Sequence, residues 1–176
     1  GPLANLLLAV LLYAAVNWSG VDEPKALLSS PVAGSIAQRA GLQGGELVVS
    51  AAIGEDDAEP VRSFEDLRWV LTRGALDGES VRLLLQPERG AQREVVLPLD
   101  QMQVREADAQ LFRSIGIVGP WTRPVLGEVM PGGAAERAGL RPGDLVLRLG
   151  GTDVVDGTQL RDLIRASVQD GKPRTQ

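Results

Sequence analysis

The 176 residues contain no histidine and no cysteine, and that bounds the chemistry first. A His-Glu-x-x-His zinc site, a Ser-His-Asp triad and a Cys-His dyad all need side chains that are absent here. The lysines are Lys25 and Lys172. Neither stands near a nucleophile elbow, so a Ser-Lys dyad has no support. The double glycines at 44–45, 132–133 and 150–151 invite a phosphate-loop reading, but no Gly-Lys-Ser/Thr follows any of them. They read as turn glycines. The acids between Gly54 and Pro60 lack the ligand spacing and central glycine of a calcium loop, so a solvated loop is expected there. No residue is therefore assigned as catalytic, and none as a metal ligand. A net charge of −5 and 3% aromatic residues argue against a nucleic-acid partner.

What remains is recognition by backbone and apolar surface, and the elements that could position it come as a repeat. Ala138-Gly139-Leu140-Arg141-Pro142-Gly143-Asp144-Leu145-Val146 has a near-copy in Ala40-Gly41-Leu42-Gln43-Gly44-Gly45-Glu46-Leu47-Val48, offset by 139 − 41 = 98 residues. An internal repeat outranks other sequence signals. Each copy follows a small helix-like run, Ser35 to Arg39 or Gly133 to Arg137. Gly41 and Gly139 sit where such a helix must stop. The turn glycines and the acid then precede an apolar β run.

The chain opens with Leu3 to Trp18, in which only Asn5 and Asn17 are polar. As a helix this run covers ~24 Å, against ~30 Å of bilayer hydrocarbon. Residues 1–18 are expected to be part of a transmembrane helix, with Tyr13 and Trp18 toward one interface. The base-poor exit around Asp22 and Glu23 suits the non-cytoplasmic side. Lys25 to Ser29 reads as a strand, Ser35 to Ala40 as a helix and Leu47 to Ala52 as a strand. Ser63 with Asp66 forms a capping box opening a helix whose apolar face is Phe64, Leu67, Val70 and Leu71. Val81 to Leu85 and Glu94 to Leu97 read as a hairpin. Residues 19–100 make a first domain, 101–112 a polar linker, and 113–176 a second domain. In the second, Pro124 to Met130 and Leu145 to Leu149 read as strands, and Asp156 with Gln159 caps a helix carrying Leu160, Leu163 and Ile164. By the first domain's pattern a final hairpin should follow, so the second domain reads as truncated. Trp69 lies off its helix's apolar face and Trp121 follows the predicted edge strand; a contact between domains or with a partner is one reading of either, and a partly buried tryptophan with no special role is the commoner one.

The element Ala-Gly-Leu-x-x-Gly-Asp resembles the signature of bacterial-type PDZ domains. Gly-Pro-x-x-Asn with an apolar helix, followed by two such domains, resembles the region between membrane helices in the site-2 protease family of intramembrane zinc metalloproteases, of the RseP type. The fold this implies is mainly β with short helices: two tandem PDZ-like domains, the second lacking its last hairpin, preceded by a transmembrane helix. The resemblance also implies zinc in the parent protein, held by motifs outside this chain, and a place at the bacterial inner membrane with the PDZ domains on the periplasmic side. The implied partners are the lipid bilayer and a membrane-protein substrate, an anti-sigma factor in type, or its C-terminus.

A PDZ fold adds a chain end to a sheet edge and takes its carboxylate in a nest of backbone N–H groups. Ser114-Ile115-Gly116-Ile117 matches that loop, with Leu160 and Ile164 expected to wall the groove of the second domain. Ser19, Gly20 and Val21 are the corresponding expectation for the first. An HtrA-type serine protease also carries two PDZ domains, but the apolar run from Leu3 argues against it. A membrane-anchored PDZ scaffold without protease is the third reading.

Overall fold

A computed structural model describes residues 2–19, 23–102 and 108–169. The apolar opening forms α1, Pro2–Ser19. Its leucines touch no core: Leu3 is 76% exposed and Leu11 63%. At 18 residues α1 rises ~27 Å. Among the described residues no helix is long and apolar enough to cross a membrane.

The first unit is built on a four-stranded antiparallel sheet in the order β2-β1-β3-β4. Its strands are β1 (Leu47–Ile53), β2 (Glu59–Pro60), β3 (Val81–Gln86) and β4 (Arg93–Leu97). The pairing of β1 with β3 carries a register shift between Val48 and Ser50. Alternation is clean in β3, where Val81, Leu83 and Leu85 are buried and the residues between them are not. Period two puts those three on one face. Helix α3 (Phe64–Asp77) lays Phe64, Leu67, Leu71 and Ala75 on the same core. The expected capping box is present: the Ser63 hydroxyl accepts the Asp66 N–H, and Asp66 accepts the Ser63 N–H at 3.2 Å. Gly78 ends the helix in the left-handed conformation at φ 69°.

The repeat survives hydrogen bond by hydrogen bond. In the first unit helix α2 (Ile36–Arg39) is followed by Leu42 N–H to Ala37 C=O, Gly45 N–H to Leu28 C=O and Leu28 N–H to Glu46 C=O. In the second, helix α5 (Ala134–Arg137) is followed by Leu140 N–H to Ala135 C=O, Gly143 N–H to Leu126 C=O and Leu126 N–H to Asp144 C=O. The turn acid plays one role in both: Glu46 accepts the Gln43 N–H at 2.7 Å and Asp144 accepts the Arg141 N–H at 2.8 Å.

What differs is cover. Leu42 is 4% exposed, and its counterpart Leu140 is 43% exposed. Among the described residues the sheet of the second unit is only β5 (Arg148–Leu149) with β6 (Thr152–Asp153). The strands expected over 124–130 and 145–149 shrink to a bridge between Val125 and Leu145 plus β5. The loop expected over 54–60 contains the short strand β2. Helix α6 (Gly157–Gln169) closes the second unit, with Asp156 accepting the Gln159 N–H and Gln159 accepting the Val155 N–H.

The 101–112 segment is not merely a linker. Asp108 caps helix α4 (Ala109–Ile115) by accepting the Leu111 N–H at 2.8 Å. Leu111, Ile115 and Ile117 join the core of the first unit, because a seven-residue helix with two buried aliphatic residues gains most by packing on existing apolar surface.

One ion pair fastens the turn of the first unit to its last strand. Arg93 of β4 reaches Glu46 at 2.7 Å and also donates to the Gly41 carbonyl. The Glu46 side chain is 5% exposed and that of Arg93 38%. Removing the cation strands a buried carboxylate. The Arg93→Ala chain should lose about 3 kcal/mol of unfolding free energy, read from urea denaturation; an unchanged midpoint would refute the role given to this pair.

Candidate functional site

The predicted loop Ser114-Ile115-Gly116-Ile117 is ordered by its contacts with the first unit. Gly116 ends α4 at φ 99°, and its N–H donates to the Phe112 carbonyl at 2.8 Å. Its own carbonyl accepts the Val32 N–H at 3.2 Å. A Cβ at Gly116 would overlap the side chain of Ser35, the N-cap of α2. Both the dihedral and the close approach therefore require glycine. Ile115 is 0% exposed and Ile117 3%, within the cluster that holds Leu67 and Leu71 of α3. Arg68 of α3 lies 4.6 Å over the Phe112 ring, tying α4 to α3 from outside.

This changes which helix the loop shares a core with. The loop was expected to face Leu160 and Ile164 of the second unit. Instead it packs with α3 of the first, because the isoleucines find a four-stranded core there and only a two-residue ladder in the second unit. Leu160 is 7% exposed and Ile164 44%, and neither joins the cluster around Ile115. Ser19 is the last residue of α1. Gly20 and Val21 lie outside the described residues.

Beside the loop runs a trench of about 590 Å³ between α2, α4 and the chain after β4. Arg39 and Arg113 line it with Ser35, Ser114, Gln101 and Gln110; Val32, Ile36, Pro98 and Met102 supply its apolar wall. Among the described residues no acidic side chain lines it. Arg39 donates to the Gly34 carbonyl. The two guanidinium groups can only donate hydrogen bonds, so the trench offers donors to an anion beside an apolar wall. Sequence reasoning reached Ser114 and missed both arginines. Their one signal was position, each in the last turn of a short helix.

Zinc does not fit this chain. With no histidine or cysteine in the sequence, and no cluster of three or more acids able to hold a metal among the described residues, the donor set that zinc prefers is missing. Replacing Gly116 with alanine should lower stability by about 1–3 kcal/mol through the positive φ alone, and by more through the clash with Ser35. Thermal melting of the variant checks this, and a melting temperature equal to the native one would contradict the geometry.

Residues 125–172 match the PDZ domain family. Curated relatives match almost end to end. A protein of Ralstonia nicotianae named as a candidate zinc metalloprotease is 34% identical over 99% of this chain and 40% of its own length. A Neisseria meningitidis protein similarly named is 31% identical over 95% of this chain and 36% of its own. The regulator of sigma-E protease RseP of Escherichia coli is 30% identical over 94% of this chain and 36% of its own. The chain thus spans about two fifths of the length of these relatives. Over nearly all its residues the chain is thus similar to a segment of proteins named as zinc metalloproteases, the regulator of sigma-E protease RseP among them.

Proposed function

We propose that these residues are the extracytoplasmic tandem PDZ region of an intramembrane zinc metalloprotease of the site-2 type, and that they select its substrates. Zinc and the catalytic residues then belong to parts of the parent protein outside this chain. The observation that carries the reading is the hydrogen-bond frame repeated 98 residues apart, one copy of which lies in the segment matched as a PDZ domain. The names of the relatives support a protease as parent. The leucines of α1, exposed along its length, support a helix that joins further chain in the lipid of the bacterial inner membrane.

On this reading the first unit is also PDZ-like, and its carboxylate loop is Ser114–Ile117 rather than Ser19–Val21. The C-terminal end of a trimmed membrane protein, an anti-sigma factor in type, docks beside that loop. Arg39 and Arg113 draw its carboxylate, and the wall of Val32, Ile36 and Met102 takes an apolar side chain. In the second unit Leu160 and Ile164 keep the expected role of an apolar groove wall.

Two measurements test this. Deleting residues 124–169 from the parent should let it cleave substrate whose outer domain has not been trimmed. If untrimmed substrate stays uncleaved, selection by these units is wrong. Each charge-assisted hydrogen bond to a carboxylate contributes about 1.5–3 kcal/mol. Arg113→Ala should therefore weaken binding of a peptide with a free, apolar C-terminus by roughly tenfold or more, while an amidated peptide shows no such loss. Equal binding of both peptides to native and variant protein would remove the trench from the site.

A further inference from the structure

The two copies of the repeat differ most tellingly where they meet. Counting by the 98-residue offset, Ser30 corresponds to Glu128 and Gly44 to Pro142. In the first unit these two positions receive the start of α6. The Ser30 N–H donates to Asp156 Oδ2, while Asp156 Oδ1 accepts the Gln159 N–H at 2.8 Å. Asp156 is fully buried. A Cβ on Gly44 would stand 2.8 Å from Ser30 Oγ and 2.9 Å from Val155 Cγ1, so the absent side chain is the space that Val155 uses. Alongside, Leu28 bridges Pro120 antiparallel, Trp121 N–H donates to the Leu27 carbonyl at 2.8 Å, and the Trp121 indole donates to the Val155 carbonyl at 2.9 Å.

We propose that Asp156 is a clasp that fixes the second unit on the first. One carboxylate does two jobs with its two oxygens: it caps α6 and it holds an amide of the neighbouring unit. Burial makes the second contact matter, because a carboxylate oxygen shut from water needs a donor. The divergence of the repeat gives the direction. The first copy carries the receiving pair, Ser30 with Gly44. The second carries Glu128 and Pro142 at these positions, so the receiving pair belongs to the first copy of the repeat. Trp121 takes part in this clasp through its backbone N–H and its indole. The inference rests on geometry alone and is independent of what the trench binds.

Asparagine separates the two jobs. It caps helices as well as aspartate does but has one acceptor oxygen rather than two. The chain has no native cysteine, so spin labels placed through Arg73→Cys on α3 and Arg161→Cys on α6 report a single distance. The otherwise native chain should give one narrow distance distribution. Asp156→Asn, and separately Gly44→Val, should lose that single peak, with the α-helical circular dichroism of Asp156→Asn unchanged. Ser63→Ala, which removes the matching cap of α3, should keep it. The clasp is overturned if both variants retain the native peak, if the native chain is already as broad as they are, or if Ser63→Ala broadens the distribution equally.

Discussion

A carboxylate that closes a tight turn is the constraint on which each half of this protein depends. Glu46 and Asp144 each accept the N–H three residues back. The turns they close need left-handed residues, and Gly41, Gly45, Gly139 and Gly143 supply them at φ between 81° and 90°. With the turn closed, the backbone on its far side meets the strand that preceded the helix. The Leu28 N–H then finds the Glu46 carbonyl, and the Leu126 N–H finds that of Asp144. Without the closure a four-residue helix would have nothing to hold it, since so short a helix is unstable by itself.

The same local frame has two different fates. In the first unit it is covered by α3, β3, β4 and the 108–117 segment, and it becomes the floor of a continuous apolar core. In the second, Leu140, the counterpart of buried Leu42, stands partly open, and Leu145 and Leu147 are 45% and 66% exposed. Local geometry is thus independent of how much apolar surface is buried, whereas stability is not, because burial supplies the dominant favourable term in folding. Neighbouring chemistry follows from this inequality. Ile115 and Ile117 leave the unit they resemble in sequence for the unit that has a core to offer. They carry Ser114 and Arg113 with them to the trench.

Two acids that begin as local devices end as tertiary ones. Glu46 closes its turn and also binds Arg93 from a strand 47 residues on. Asp156 caps its helix and also holds Ser30 of the other unit. A carboxylate has two oxygens and about four lone-pair directions. A cap or a turn uses one of them, and the remainder can bind a distant donor without disturbing the local motif. Asp144, in the equivalent turn of the second unit, has no such distant cation among the described residues and stays exposed. The repeat supplies equivalent acids, and only their surroundings make them different.

Patterns within a few residues of one another were legible in the chain alone. The 98-residue repeat, the glycine stops, the capping box of α3, the Asp156 cap of α6, the alternation of β3, and the absence of histidine and cysteine all follow from residue type and spacing, because turns, caps and strand faces are settled by near neighbours. The exposure of Trp69, 67% in the structure, followed from its place off the helix's apolar face. Tertiary structure alone decided which core takes residues 108–117, that Arg39 and Arg113 share one trench, and that Ser30 and Gly44 receive Asp156. Those outcomes compare burial at competing surfaces far apart in the chain. Spacing carries no record of that comparison: an isoleucine pattern states that it must be buried, and the surface with more apolar area to share determines where.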